Sequence, residues 1–84
     1  MDLQRAHDLI AQAKFDDALC ALDALIEGGD RSSAVVGSRA FLRRALGRLE
    51  EALADYDSCL ASDPRDDEAA ARRAETLAML GRPE

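Results

Sequence analysis

Residues 14–30 read KFDDALCALDALIEGGD, and residues 47–64 read GRLEEALADYDSCLASDP. A shift of 34 residues lays the first stretch on the second. Phe15, Ala18, Leu19, Leu22, Leu25 and Ile26 then coincide with Leu49, Ala52, Leu53, Tyr56, Cys59 and Leu60. Both sets step by 3, 1, 3, 3 and 1, the spacing of one face of an α-helix. The opposite face is charged, with Asp16, Asp17, Asp23 and Glu27 in one copy and Glu50, Glu51, Asp55 and Asp57 in the other.

Working outward, the same shift carries Arg5-Ala6 to Arg39-Ala40 and then to Arg73-Ala74. Leu9 maps to Arg43 and Leu77, and Ala13 to Gly47 and Gly81. The chain therefore reads as one domain, 1–84, built from units 1–32 and 33–66 and a partial unit 67–84. The pattern predicts five helices, at about Asp2–Ala13, Asp16–Glu27, Ser33–Leu46, Leu49–Ala61 and Asp67–Leu80. Gly28-Gly29, Gly47 and Gly81 suit the left-handed residue that ends a helix, and Pro64 blocks continuation. Ser32 or Ser33 is a candidate cap for the third helix and Asp66 for the fifth. Ala13 occupies a glycine-type position, where a left-handed alanine costs on the order of 1 kcal/mol. Loops this short force neighbouring helices to be antiparallel. A lone helical pair leaves its apolar face open, whereas stacked pairs bury it, so the predicted architecture is an all-α helical solenoid.

Composition agrees. A chain of 84 residues is one small domain, with no room for a separate catalytic one. Alanine accounts for 17 residues, which suits closely crossing helices. The net charge of -6 argues against non-specific nucleic-acid binding and against docking on an anionic membrane. No apolar run approaches a membrane span, and the N-terminus has no signal-peptide pattern. Cys20 and Cys59 form neither a disulfide framework nor a metal pattern, so a reducing cytoplasm is expected. Ten arginines against one lysine suggest GC-rich coding and a bacterial source.

The repeat resembles the tetratricopeptide repeat (TPR). Ala6, Ala40 and Ala74 match the small residue of that family's first helix, and Ala18 and Ala52 the alanine of its second. Phe15 and Leu49 match the large residue opening the second helix, and Leu22 and Tyr56 its later aromatic position. Pro64 matches the proline between repeats, and Gly47 and Gly81 the glycine between helices. Two departures stand out: Asp30 replaces the first inter-repeat proline, and Arg43 replaces an apolar residue, so it must snorkel or pair. The resemblance implies a short right-handed α-solenoid of helical hairpins, two full repeats and the first helix of a third. Gly81-Arg82-Pro83-Glu84 aligns with Gly47-Arg48-Leu49-Glu50, the opening of a second helix. The chain is accordingly expected to be an N-terminal module of a longer protein, the alternative being a terminal capping helix.

In the TPR family the first helices line a concave groove that binds peptides. Carried over, this implies Leu3, His7 and Ile10 from the first unit, and Gly37, Phe41, Arg44 and Ala45 from the second. Glu68, Ala71, Arg72, Glu75, Ala78 and Met79 follow from the third. Phe41 is either a groove anchor or packed on Met79 or Leu3. Arg39, Arg43 and Arg44 either form a basic inner stripe suited to an acidic peptide or pair with the acidic second helices. Arginine at 5, 39 and 73 keeps the repeat period, which favours the structural role. The family's clamp for a chaperone's C-terminal carboxylate is not expected: of Leu3, His7, Ser38, Glu68 and Arg72, only Arg72 fits.

His7, the single histidine, has no partners at metal-ligand spacing and no catalytic set around it. Cys59 reads as a core residue, Cys20 as partly exposed, and the acidic run 63–68 as helix capping rather than a calcium loop. The expected function is that of a non-enzymatic, cofactor-free module binding a protein or peptide, including another domain of its own chain. The alternatives are self-association as a homodimer, driven by Leu77, Met79 and Leu80, and service as an accessory domain to an enzyme beyond residue 84.

Overall fold

A computed structural model describes residues 3–81 of the chain. It contains α1 (Leu3–Ala11), α2 (Phe15–Glu27), α3 (Ser33–Ala45), α4 (Leu49–Ser62) and α5 (Asp67–Met79), with no strand among the described residues. The bounds lie within two residues of those expected. Asp2, where the first helix was expected to start, and Arg82-Pro83-Glu84 fall outside the described residues.

The helix ends follow local chemistry. Ala13 (φ 59°), Gly29 (φ 104°) and Gly47 (φ 82°) each take the left-handed conformation. Beyond each, the next amide turns back on its helix: Lys14 to Leu9 O, Asp30 to Leu25 O and Arg48 to Arg43 O, at 2.7–2.9 Å. This is the Schellman closure, and Ala13 makes it without glycine's freedom. Ser32 rather than Ser33 caps α3, its Oγ accepting from Val35 N–H, and Asp66 caps α5 by accepting from Ala69 N–H.

Each helix packs on its neighbour in sequence, and the intervening loops make consecutive helices antiparallel. All twelve apolar positions of the repeat are buried or half-buried. Ala6, Ala40, Ala18 and Ala52 are completely buried. Ala74, the third member of the first series, is exposed, because no helix follows α5 among the described residues to cover it.

The acidic face needs one correction. Asp55, expected among the solvated carboxylates of the second helices, is only 3% exposed. The cause lies on α3. Arg39 Nη2 and Nε donate to the two Asp55 oxygens at 2.8 and 3.0 Å, and Arg43 Nη1 donates to Oδ2 at 2.9 Å. Arg39 Nη1 also reaches Asp23 on α2 at 3.0 Å. The hydrogen bonding of Arg39 to Asp55 holds the guanidinium above its ordinary pKa. Arg39 and Arg43 thus face the acidic second helices and do not form a basic inner stripe. Their pairing has a periodic part: Arg73 repeats the Arg39–Asp23 contact 34 residues on, donating to Asp57 at 2.6 Å.

Candidate functional site

Because consecutive helices alternate in direction and side, α1, α3 and α5 come together along one surface. Between them lies a groove of about 420 Å³. His7 and Ile10 of α1 form one wall, and Ser33, Ala34, Gly37, Ser38 and Phe41 of α3 run along it. Asp66, Glu68, Ala69 and Arg72 at the start of α5 form the opposite wall. Tyr56 and Cys59 of α4 reach it from the interior.

Of the residues expected in the groove, His7, Ile10, Gly37, Phe41, Glu68 and Arg72 line it together. Leu3 does not; it is partly buried against the core. Arg44 and Glu75 pair with each other at 2.8 Å, joining α3 to α5 without lining the groove. Met79 is 57% exposed and stands away from it.

Gly37 is in ordinary helical conformation, and a Cβ added there would meet only Cys59 Sγ, at 3.9 Å. Neither backbone nor packing requires a glycine at this site, yet one in a helix interior costs roughly 0.5–1 kcal/mol relative to alanine. Its effect is to deepen the groove. Phe41, 37% exposed, stands at the rim with the Arg44 guanidinium 6.0 Å from its ring centre, the outer edge of cation–π range.

The polar groups of the groove divide into committed and free. Ser38 Oγ donates to Ala34 O at 2.8 Å and lies 3.4 Å from His7 Nε2. Asp66 is held by its cap. The Tyr56 hydroxyl, by contrast, is buried and has no hydrogen-bond partner. Burial pushes its pKa up, while Arg44 and Arg72 act in the opposite sense. Burial also raises the Cys59 thiol, whose Sγ makes a 3.8 Å contact to Ser33 O.

Tyr56, Cys59, Ser33, Ala34 and Ala69 were not expected here. Tyr56 and Cys59 follow the core periodicity, which hides their second exposure toward the groove. The available signal was the phenol itself, since a tyrosine at a core position brings a hydroxyl that needs a partner.

Among the described residues no His, Cys, Asp and Glu side chains cluster as a metal site, and no helix is long and apolar enough to cross a membrane. No family model matches the chain, nor does any curated protein or solved structure.

Proposed function

We propose that the chain is a TPR-like interaction module, without catalytic activity of its own, that binds a segment of a protein partner in the groove between α1, α3 and α5. The observation that carries this reading is Gly37. A helix-interior glycine that neither φ nor packing demands lowers helix stability and keeps the groove open beside Phe41. The groove is about the size of an ordinary small-ligand pocket and takes a few side chains rather than a folded surface. Its walls set apolar residues such as Ile10, Ala34 and Phe41 beside hydroxyl-bearing and charged ones, a mixture that suits an extended or helical segment. Two free cysteines suit a reducing compartment, in keeping with a cytoplasmic role.

The test compares partner affinity and stability in three variants. Phe41→Ala removes the aromatic at the rim and is expected to weaken binding at least tenfold. Gly37→Leu fills the groove and is expected to do the same while leaving helicity unchanged. Glu27→Gln, on the far side of α2, serves as the control. Wild-type affinity in both groove variants sinks the reading.

Self-association is the second reading, favoured by one observation. On α5, Ala74 is exposed whereas its counterparts Ala6 on α1 and Ala40 on α3 are buried, and Met79 on the same helix is exposed as well. A second copy placed there would bury this face. Concentration-independent light scattering at the monomer mass would remove it.

A further inference from the structure

The groove has its own polarity. Glu68 and Arg72 are four residues apart on α5, one helical turn, and both line it. Asp66 adds a second carboxylate at the Glu68 end, committed to Ala69 N–H. At the other end Arg72 has its nearest acid, Glu75 Oε2, at 3.9 Å, and that oxygen is already bonded by Arg44 at 2.8 Å. Arg72 therefore keeps guanidinium donors available, on a side chain that is 39% exposed.

The Tyr56 hydroxyl supplies a second, independent observation. Tyr56 is 2% exposed, lines the groove and leaves its oxygen unpaired. Leu22 serves at the equivalent place in the first hairpin, so packing there does not call for a hydroxyl. A buried phenol held protonated enters a complex as a donor, and a donor in the positive field of Arg44 and Arg72 favours an anionic acceptor.

We propose that the groove selects a partner segment in which an acidic side chain adjoins an apolar one. The carboxylate accepts from Tyr56 and Arg72 at the Phe41 end, and the apolar side chain fills the notch over Gly37. Glu68 and Asp66 repel a carboxylate at the other end, which sets the direction of the segment. The hydroxyl is closed from water in the free fold, so the acid reaches it only through a local opening of the groove wall. This inference rests on the groove reading above and adds to it the chemistry of the ligand.

The test is a nitrogen-15 NMR titration of the full chain with three capped peptides, acetyl-Leu-Asp-Leu-amide and its Asn and Lys counterparts. The Asp peptide is expected to bind about tenfold tighter than the Asn peptide, the ratio that one charge-assisted hydrogen bond supplies. The Lys peptide is expected to bind weakest, and the shifts to centre on Gly37, Phe41 and Arg72. Arg72→Gln closes the gap between the Asp and Asn peptides. Tyr56→Phe weakens both several-fold, yet leaves the melting temperature unchanged or higher, which loss of a structural hydrogen bond would not do. Equal affinity for the three peptides, or no shift with any of them, overturns the assignment of an acidic ligand. Equal affinity with shifts at Gly37 and Phe41 leaves the groove itself intact. Shifts confined to the outer faces of α2 and α4 overturn the groove reading as well.

Discussion

Where the α1–α2 hairpin has Leu9 and Ala21, the α3–α4 hairpin has Arg43 and Asp55, 34 residues on in each case. One hairpin closes this part of its seam with apolar groups, the other with a buried ionic cluster. The crossing positions do not change: Ala6 and Ala40, like Ala18 and Ala52, are fully buried in both. The groove positions change again. Leu3 becomes Gly37, His7 becomes Phe41, Leu22 becomes Tyr56 and Leu25 becomes Cys59. The repeat thus holds where helices must approach and diverges, among other places, at the Asp55 seam and the groove. A solenoid permits this, because each unit needs only the right neighbours to stack.

The seam gives the largest effect. Asp55→Ala leaves Arg43 with Glu51 at 3.7 Å and with a buried Nε that already lacks a partner. A loss of about 3 kcal/mol is expected in urea unfolding, as for other buried pairs broken on one side. The double change Asp55→Ala with Arg43→Leu rebuilds the first hairpin's apolar seam and should recover most of that loss. Arg39 keeps Asp23, just as Arg73 relies on Asp57. If the double variant is as unstable as the single one, the two seams are not interchangeable.

The helix ends give a smaller contrast of opposite sign. Ala13→Gly should stabilise by on the order of 1 kcal/mol, because φ 59° is glycine's territory. Gly47→Ala should cost a similar amount, and thermal melts of the two variants read the pair directly. Asp57→Asn is expected to cost less than about 1 kcal/mol, since Asp57 is 58% exposed and its bond to Arg73 is screened by water.

The smallest effect lies in alkaline solution. Burial raises the Tyr56 pKa in the folded state above its ordinary value of 10.0. The protonated phenol therefore favours the fold, fully below pH 10 or so and progressively less as pH climbs through the folded-state value. Tyr56 is the only tyrosine, so ultraviolet absorbance follows it alone. Its midpoint should lie above 10 in the native protein and fall when urea unfolds the chain.

These contrasts also mark how far the fold was legible from residues alone. The 3-1-3-3-1 spacing, the glycines and Pro64 place five helices within two residues of their observed bounds, because periodicity and caps are local properties. Even the left-handed Ala13 follows from its alignment with Gly47 and Gly81. Asp55 was misplaced because helical spacing assigns a residue to a face and does not say which side chains the next helix brings there. Arg39 and Arg43 rescue a carboxylate that the pattern alone assigns to water. The groove was half legible. Six of its expected residues line it, but Tyr56 and Cys59 serve core and groove at once, a double role that one helical period does not reveal.

The central claim is that the second hairpin departs from the first at the groove to serve binding rather than folding. Gly37→Leu tests it most directly, because it restores the residue that the first hairpin carries at that position. Urea unfolding and the Asp-peptide titration are measured on the same sample. The account predicts equal or greater stability, by up to about 1 kcal/mol from helix propensity, together with loss of peptide binding. A variant that unfolds, or one that binds the peptide as the wild type does, contradicts it.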